Sequence, residues 1–308
     1  MLDAGIRVTA GEEPPDGAAY EVLVAGVPDR KLVEASDALR MLVIPWSGIP
    51  KRTRNLMREF PAVAVHNLHH NADQVAEMAL ALLLAAAKRV VPLDAALRRG
   101  DWSARYDDES PVVLLRGRRA LVLGYGALGR FTAELLAGIG MRVTAVRRSG
   151  NDGEGSGDTA LKPVSDLPEL LPTADAVLVC LPATEETVGM IGARELAALP
   201  ERAILVNVGR GPVVDEKALY EALRSGTLHA AGIDVWYNYP KDEPGRADTQ
   251  PSDFPFHELD NVVMSPHRAG APNTPETETM RMKALAELLN LAARGRRIPN
   301  RVDLELGY

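Results

Sequence analysis

The chain alternates between short runs of consecutive apolar, largely β-branched residues and longer stretches whose apolar positions recur every three or four residues. The runs are GIRVTAG (5–11), YEVLVAG (20–26), RMLVIPW (40–46), VAVHN (63–67), RALVLG (119–124), MRVTAVR (141–147), DAVLVCL (175–181), RAILVNV (202–208), AAGIDVW (230–236) and NVVMSP (261–266). Most are apolar throughout, as expected of parallel strands buried on both faces. The stretches between them read as helices, so the pattern predicts βαβ units and doubly wound parallel sheets. Ten strands are too many for one comfortable sheet, which predicts two α/β domains.

Two helical segments set the domain plan. NADQVAEMALALLLAAAKRV (71–90) is apolar nearly all round its centre, the pattern of a helix buried between domains. TPETETMRMKALAELLNLAARG (274–295) is amphipathic and stops at Gly295. It is expected to return to the first domain. The plan is therefore a discontinuous domain, 1–91 with 270–308, and a second domain, 92–269. SGNDGEGSGD (149–158) has the composition of a loop.

Composition narrows the function classes. With 46% hydrophobic and 25% charged residues, the chain has the make-up of a soluble globular protein. A net charge of −7 and the lack of a basic block argue against nucleic-acid binding. The single cysteine, Cys180, lies inside an apolar run and reads as a small core residue. It excludes a disulfide framework within the chain. No signal-peptide pattern opens the sequence. The longest apolar stretch, 78–88, is too short to span a bilayer. A cytoplasmic protein without a membrane partner is expected.

RALVLGYGALGRFTAELLAGIG carries G-x-G-x-x-G at Gly124, Gly126 and Gly129, between an apolar strand and an amphipathic helix. That context makes it a dinucleotide-binding turn. The first glycine permits the turn, the second lets a pyrophosphate approach, and the third lets helix and strand pack. The exposed N–H groups at the helix start attract phosphate. The next strand ends in Arg147 and Arg148, where an NAD-selective site places Asp or Glu. Arginine accommodates a 2′-phosphate, so NADP is expected as the preferred cofactor over NAD. Asp152 and Glu154 in the following loop would oppose it.

In VNVGRGPVVDEKAL, Arg210 stands between two glycines at a strand's carboxyl end, where open α/β sheets bind ligands. Its planar fork matches a carboxylate. His267 follows another strand, in SPHRAG. At this point the sequence resembles the D-isomer-specific 2-hydroxyacid dehydrogenases over nearly its whole length. The resemblance rests on LGYGALGR (123–130), LPATEETVGMI (181–191), VNVGRGPVVDEKAL (206–219), GIDVW (232–236), SPHRAG (265–270) and IPNRVDLELGY (298–308). It implies a Rossmann dinucleotide-binding domain inserted in a smaller flavodoxin-like substrate domain, a cleft between them, and a homodimer.

Carried over, the resemblance gives Arg210 the substrate's carboxylate and keto oxygen, and makes His267 the acid/base. It assigns the cofactor to Gly124, Gly126, Ala127, Leu128, Gly129, Leu181, Pro182, Thr187, Val208, Gly209 and Asp234, with Asp234 on the nicotinamide carboxamide. It assigns substrate to Trp46, Ser47 and Gly48. Asn71 reads as the cap of the following helix and, from its position, as a further substrate contact. The implied reaction is hydride transfer between a nicotinamide and a small 2-keto or 2-hydroxy acid, of the glyoxylate or hydroxypyruvate kind.

Three departures stand out. The N-terminal region looks short for the family. HNLHHN (66–71) brings three histidines together, yet no acidic or cysteine ligand stands at a familiar metal spacing, so no metal is expected. Family members place Glu five residues after the strand-end Asp to pair with the histidine, and here that position is Tyr239. Tyrosine can hydrogen-bond to imidazole but is uncharged at neutral pH. Tyr239 therefore joins Arg210 and His267 as a catalytic candidate, with Asp242, Glu243 and Glu258 as substitutes. A non-acidic residue there also suits a formate-dehydrogenase-like oxidation, and a non-catalytic NAD(P)-sensing protein is the third reading.

Overall fold

The computed structural model describes residues 1–107, 111–148, 153–271 and 273–308. In chain order, β1 (Val22–Val24), α1 (Arg30–Glu34), β2 (Met41–Ile44), α2 (Lys51–Arg58) and β3 (Ala64–Asn67) come first. Next are α3 (Ala72–Ala87), α4 (Val90–Arg98), β4 (Arg119–Leu123), α5 (Ala127–Gly138) and β5 (Arg142–Arg147). The short strands β6 (Gly153–Glu154) and β7 (Ala160–Pro163) precede α6 (Leu167–Leu170), β8 (Ala176–Val179) and α7 (Ala193–Ala197). The chain ends with β9 (Ile204–Asn207), α8 (Glu216–Ser225), β10 (Ala230–Ile233), β11 (Val262–Met264) and α9 (Pro275–Ala293). Both sheets belong to the expected α/β class.

Two compact units result, Met1–Asn71 with Ala271–Tyr308, and Ala72–Gly270. In the first, β1, β2 and β3 pair in parallel in that order. Alternation along β2 feeds two cores. Leu42 and Ile44 pack with Val33 of α1 and Met57 of α2, whereas Met41 and Val43 pack with Leu288 of α9. The tail extends β3, with Val302 N–H donating to the Val65 carbonyl and Asn67 N–H to that of Asn300.

The second unit holds an eight-stranded sheet, ordered β11-β10-β9-β8-β4-β5-β7-β6. All neighbours are parallel except β6, which runs antiparallel to β7. Each central strand again serves two faces. Leu121, Leu123, Val177, Val179 and Leu205 pack in one core with residues of α7 and α8. Ala120, Val122, Ala176, Leu178, Ile204 and Val206 pack in the other with residues of α3 and α5. The continuous apolar runs therefore follow from burial on both faces.

The structure corrects the sequence reading in five places. No strand forms at 5–11, where every residue except Ile6 is exposed and no face is buried. The boundary expected at residue 91 lies at 71 instead. Helix α3 packs against β10 so closely that a Cβ on Gly232 would stand 2.7 Å from the Leu82 Cβ. Its all-round apolarity reflects the sheet and α5, both in the second unit. Strand β7, a short segment containing Lys162 and Pro163, was not expected and extends the sheet beyond β5. Within the expected loop, Gly153 and Glu154 form β6, while 149–152, including Asp152, lie outside the described residues. Among the described residues, no helix is long and apolar enough to cross a membrane.

Candidate active site

The phosphate turn is built as its glycines require. Gly124 has φ +97°, a left-handed conformation that favours glycine. A Cβ on Gly129 would stand 1.8 Å from the Gly124 carbonyl oxygen, so only glycine lets α5 approach β4. At Gly126, the N-cap of α5, a Cβ would meet no protein atom within 4 Å. The chain leaves open space at the glycine that a pyrophosphate must approach. The first bond from a helical amide back to the cap is Arg130 N–H to the Gly126 carbonyl. The amides of Ala127, Leu128 and Gly129 thus precede the intrahelical ladder, and the first turn carries no acid to compete for them. This donor set fits a dinucleotide.

Leu181 and Pro182 follow β8 on the same side of the sheet and are half-buried. The Thr187 hydroxyl donates to the Pro182 carbonyl at 2.6 Å and accepts from Thr184 N–H at 2.8 Å. Thr187 therefore shapes this loop from within. Arg147 ends β5, and Arg148 lies 3.8 Å from Glu186 across a surface-exposed pair. Tyr125, inside the glycine motif, accepts from Ser156 N–H at 2.7 Å. It ties the turn to the segment after β6. The sequence reading passed over Tyr125, because a motif's variable position carries no signal of its own.

Arg210 sits in a turn held by its neighbours. Asn207, buried at the end of β9, donates through Nδ2 to the Arg210 carbonyl and accepts from Gly209 N–H, at 3.0 and 3.1 Å. A Cβ on Gly209 would stand 2.5 Å from the Leu181 carbonyl oxygen. On Gly211 it would stand 2.4 Å from that of Trp236. The two glycines thus press the arginine turn against the loops after β8 and β10. Val208 N–H donates to the Val179 carbonyl. The Arg210 guanidinium donates to the Gly209 carbonyl at 2.7 Å. Burial lowers its pKa, partly offset by the Tyr239 oxygen, but a guanidinium keeps its charge.

Asp234 is fully buried and faces the histidine loop. Its carboxylate accepts from the Ser265 hydroxyl, from Arg268 N–H at 2.9 Å and from Ala269 N–H at 3.1 Å. Trp236 adds a bond from its indole N–H to the Ser265 carbonyl at 2.8 Å. These contacts hold His267 at φ +56°, a strained conformation for a residue with a side chain. The sequence assigns Asp234 to the cofactor; in this structure its carboxylate accepts three bonds from the loop that presents His267. Ser265 is a further residue the sequence reading missed, since a lone serine before proline is unremarkable.

The His267 ring is met by Tyr239. The phenol oxygen lies 2.9 Å from Nδ1, and Trp236 N–H donates to the same oxygen at 3.1 Å. Partial burial and then the Arg210 charge lower the imidazole pKa, opposed by Asp234. Burial raises the phenol pKa, although the Trp236 bond and Arg210 oppose that shift. Both groups are therefore neutral around pH 7. The carboxylates considered as substitutes are engaged elsewhere. Asp242 accepts from Gly245 N–H, Glu243 pairs with Arg246, and Glu258 lies 4.0 Å from His257.

In the other unit, the Trp46 ring covers Gly26, where a Cβ would stand 1.7 Å from it. Ser47 is half-buried and Gly48 is left-handed at φ +85°. Asn71 directly precedes α3 and is half-buried. His66 is buried in β3, with Nδ1 2.7 Å from the Pro299 carbonyl, a structural contact. Among the described residues, no group of three His, Cys, Asp or Glu side chains is placed to hold a metal ion.

Residues 80–269 match the model of a family described as D-isomer specific 2-hydroxyacid dehydrogenase, NAD binding domain. The chain is 37% identical over 241 residues to the glyoxylate reductase of Korarchaeum cryptofilum, covering 76% of this chain and 67% of that one. It is 32% identical over 276 residues to the D-3-phosphoglycerate dehydrogenase of Archaeoglobus fulgidus. That match covers 90% of this chain and 49% of the relative, so the chain spans about half of that protein's length. Among solved structures it is similar to a D-isomer specific 2-hydroxyacid dehydrogenase from Xanthobacter autotrophicus in complex with NADPH and MES. The TM-score is 0.75 at 27% identity, covering 100% of this chain and 90% of that one.

Proposed function

Because the chain belongs to the D-isomer specific 2-hydroxyacid dehydrogenase family, we propose that it is an NAD(P)-dependent oxidoreductase acting on a small 2-keto or 2-hydroxy acid. Glyoxylate and hydroxypyruvate are the first candidates, in line with the glyoxylate reductase it resembles. One observation carries the reading. The arginine turn after β9 and the histidine loop after β11 are both locked onto the stretch between them, Asp234 to Tyr239.

A bound nicotinamide dinucleotide supplies or takes the hydride. The chain's own residues do the rest. The amides of Ala127, Leu128 and Gly129 hold the pyrophosphate, with Gly124 and Gly126 giving it room. Leu181, Pro182, Val208 and Gly209 form the wall beside it, and Thr187 keeps that wall in shape. Arg147 and Arg148 take the 2′-phosphate and favour NADP. Arg210 grips the substrate's carboxylate and polarises its carbonyl, a cation offered at low solvent exposure. His267 exchanges the proton on the carbonyl oxygen. Trp46, Ser47, Gly48 and Asn71 keep their sequence-based assignment to the substrate.

The test is a panel of 2-keto acids and formate, each with NADPH and NADH. Turnover of glyoxylate or hydroxypyruvate is expected. Oxidation of formate with no turnover of any 2-keto acid would replace this reading, and tight cofactor binding without turnover would remove the enzyme.

The family resemblance implies a homodimer, and α4 offers a surface for it. This helix has no buried residue, and Val90, Val91, Leu93 and Leu97 are each at least 40% exposed. Trp102 follows, also exposed. A helix with no fully buried residue among the described ones and such an apolar surface suits a second copy. Sedimentation of the wild type and of Leu97→Asp tests it: a dimer converted to monomer supports the assignment, and a wild-type monomer refutes it.

A further inference from the structure

Three groups meet at the Tyr239 oxygen, and counting their protons determines how the histidine is used. Trp236 N–H can only donate, so it occupies one lone pair of the phenol oxygen at 3.1 Å. The remaining contact is His267 Nδ1 at 2.9 Å. A phenol has one proton. If Nδ1 carried a proton, the oxygen would accept twice, and its own proton would have to turn away from the ring to solvent. No described residue bonds to the phenol as an acceptor there. If Nδ1 is bare, one O–H···N bond satisfies both partners.

We propose that Tyr239 donates its proton to Nδ1 and thereby fixes neutral His267 with its proton on Nε2. The phenol is a positioning residue, oriented by the Trp236 amide. The usual glutamate is an acceptor only, so it requires a proton on Nδ1 and favours a doubly protonated ring. Tyrosine at this position reverses the direction of the hydrogen bond. No other described residue bonds to the ring, which leaves the Nε2 edge to a ligand.

The consequence, which rests on the reductase reading above, concerns proton supply. Reduction of a 2-keto acid places one proton on the carbonyl oxygen. Here Nε2 gives that proton while the phenol proton passes to Nδ1; once product leaves, solvent protonates Nε2 and Nδ1 returns its proton to the phenolate. The relay ends with the same neutral phenol and Nε2–H imidazole, so charge and protons balance. Tyr239 is 46% exposed, so water can reach it, and the Arg210 cation lies close enough to stabilise the transient phenolate. The charged and titratable groups around the ring are Arg210 after β9, Asp234 and Tyr239 after β10, and Arg268 in its own loop. Arg210 and the partial burial both disfavour a doubly protonated ring, which agrees with a neutral acid.

The test reads the tautomer directly. Nitrogen NMR of the full chain with 15N-labelled histidine, assigned with His267→Asn, shows whether each ring nitrogen is protonated. Above the His267 titration, wild type is expected to show protonated Nε2 and bare Nδ1. Tyr239→Phe should lose that preference, and Tyr239→Glu should move the proton to Nδ1 and the titration midpoint upward. In parallel, kcat/KM for keto-acid reduction should stay level through the His267 midpoint in wild type. In Tyr239→Phe it should fall about tenfold per pH unit above it. A proton on Nδ1 in wild type overturns the proposal, as does a wild-type rate that falls with the histidine titration. The spectra need no substrate, so an Nε2–H ring in a chain that reduces no keto acid would overturn the reductase reading and leave the tautomer standing.

Discussion

Gly211 lies so close to the Trp236 carbonyl that a Cβ would stand 2.4 Å from its oxygen. This contact couples the turn carrying Arg210 to the stretch carrying Asp234 and Tyr239. Backbone meets backbone there, so no flexible side chain can yield. Gly211→Ala should cost about 1–3 kcal/mol of stability, the usual range for overpacking. It should also raise the KM for the keto acid by moving Arg210. Denaturant unfolding and steady-state kinetics check both; an unchanged KM would detach this glycine from the placement of Arg210.

Asp234 accepts from two backbone amides and a hydroxyl in the histidine loop. Asn at this position brings an NH2 group against some of those donors. Asp234→Asn should destabilise the chain by about 1–3 kcal/mol, the cost of leaving buried polar groups poorly satisfied. It should also lower kcat, because the strained His267 conformation loses its support. If stability holds and only the KM for the cofactor rises, Asp234 acts on the nicotinamide as the sequence suggests.

Arg147 ends β5 and Arg148 follows it, with Glu186 drawing Arg148 toward itself. Charge-assisted hydrogen bonds to a phosphate contribute about 1.5–3 kcal/mol each. Replacing either one with Ala should therefore cut the NADPH-over-NADH ratio of kcat/KM by roughly 10–100-fold. Glu186→Gln should raise the ratio by releasing Arg148. A wild type that prefers NADH would dispose of the assignment.

The Cys180 thiol, half-buried and 3.7 Å from the Thr132 hydroxyl, has its pKa pushed up to about 12 by desolvation. The thiolate is the reactive form. In the native protein Cys180 should not react with a disulfide reagent at pH 8. One equivalent should appear on denaturation. Rapid reaction of the folded protein would mean that this part of the core opens.

Much of the candidate site was legible in the sequence because its constraints are local. A glycine at 124, 126 or 129 announces a turn whose geometry depends on a few adjacent residues. Arg210 between two glycines and His267 after a strand are likewise readable where they stand. Asn207, Ser265 and Tyr125 were not, because each acts through bonds that fold and register create. The Ser265 hydroxyl matters only because β10 and β11 pair with Ile233 opposite Met264, which brings the loops after them together. The strand expected at 5–11 failed for the same kind of reason: its apolar letters have no face to bury.

By itself the sequence determined the alternation of strands and helices, the phosphate turn and the residue types offered to a substrate, because periodicity and glycine placement act over a few residues. The family resemblance also led to the expectation that Tyr239 stands where a carboxylate is usual. Tertiary structure decided what that tyrosine does. The Trp236 amide and the His267 ring come from different strand ends, and only their convergence on one phenol oxygen sets the direction of the hydrogen bond. It likewise decided that the buried Asp234 carboxylate supports the histidine loop, since the amides it accepts lie more than thirty residues away along the chain.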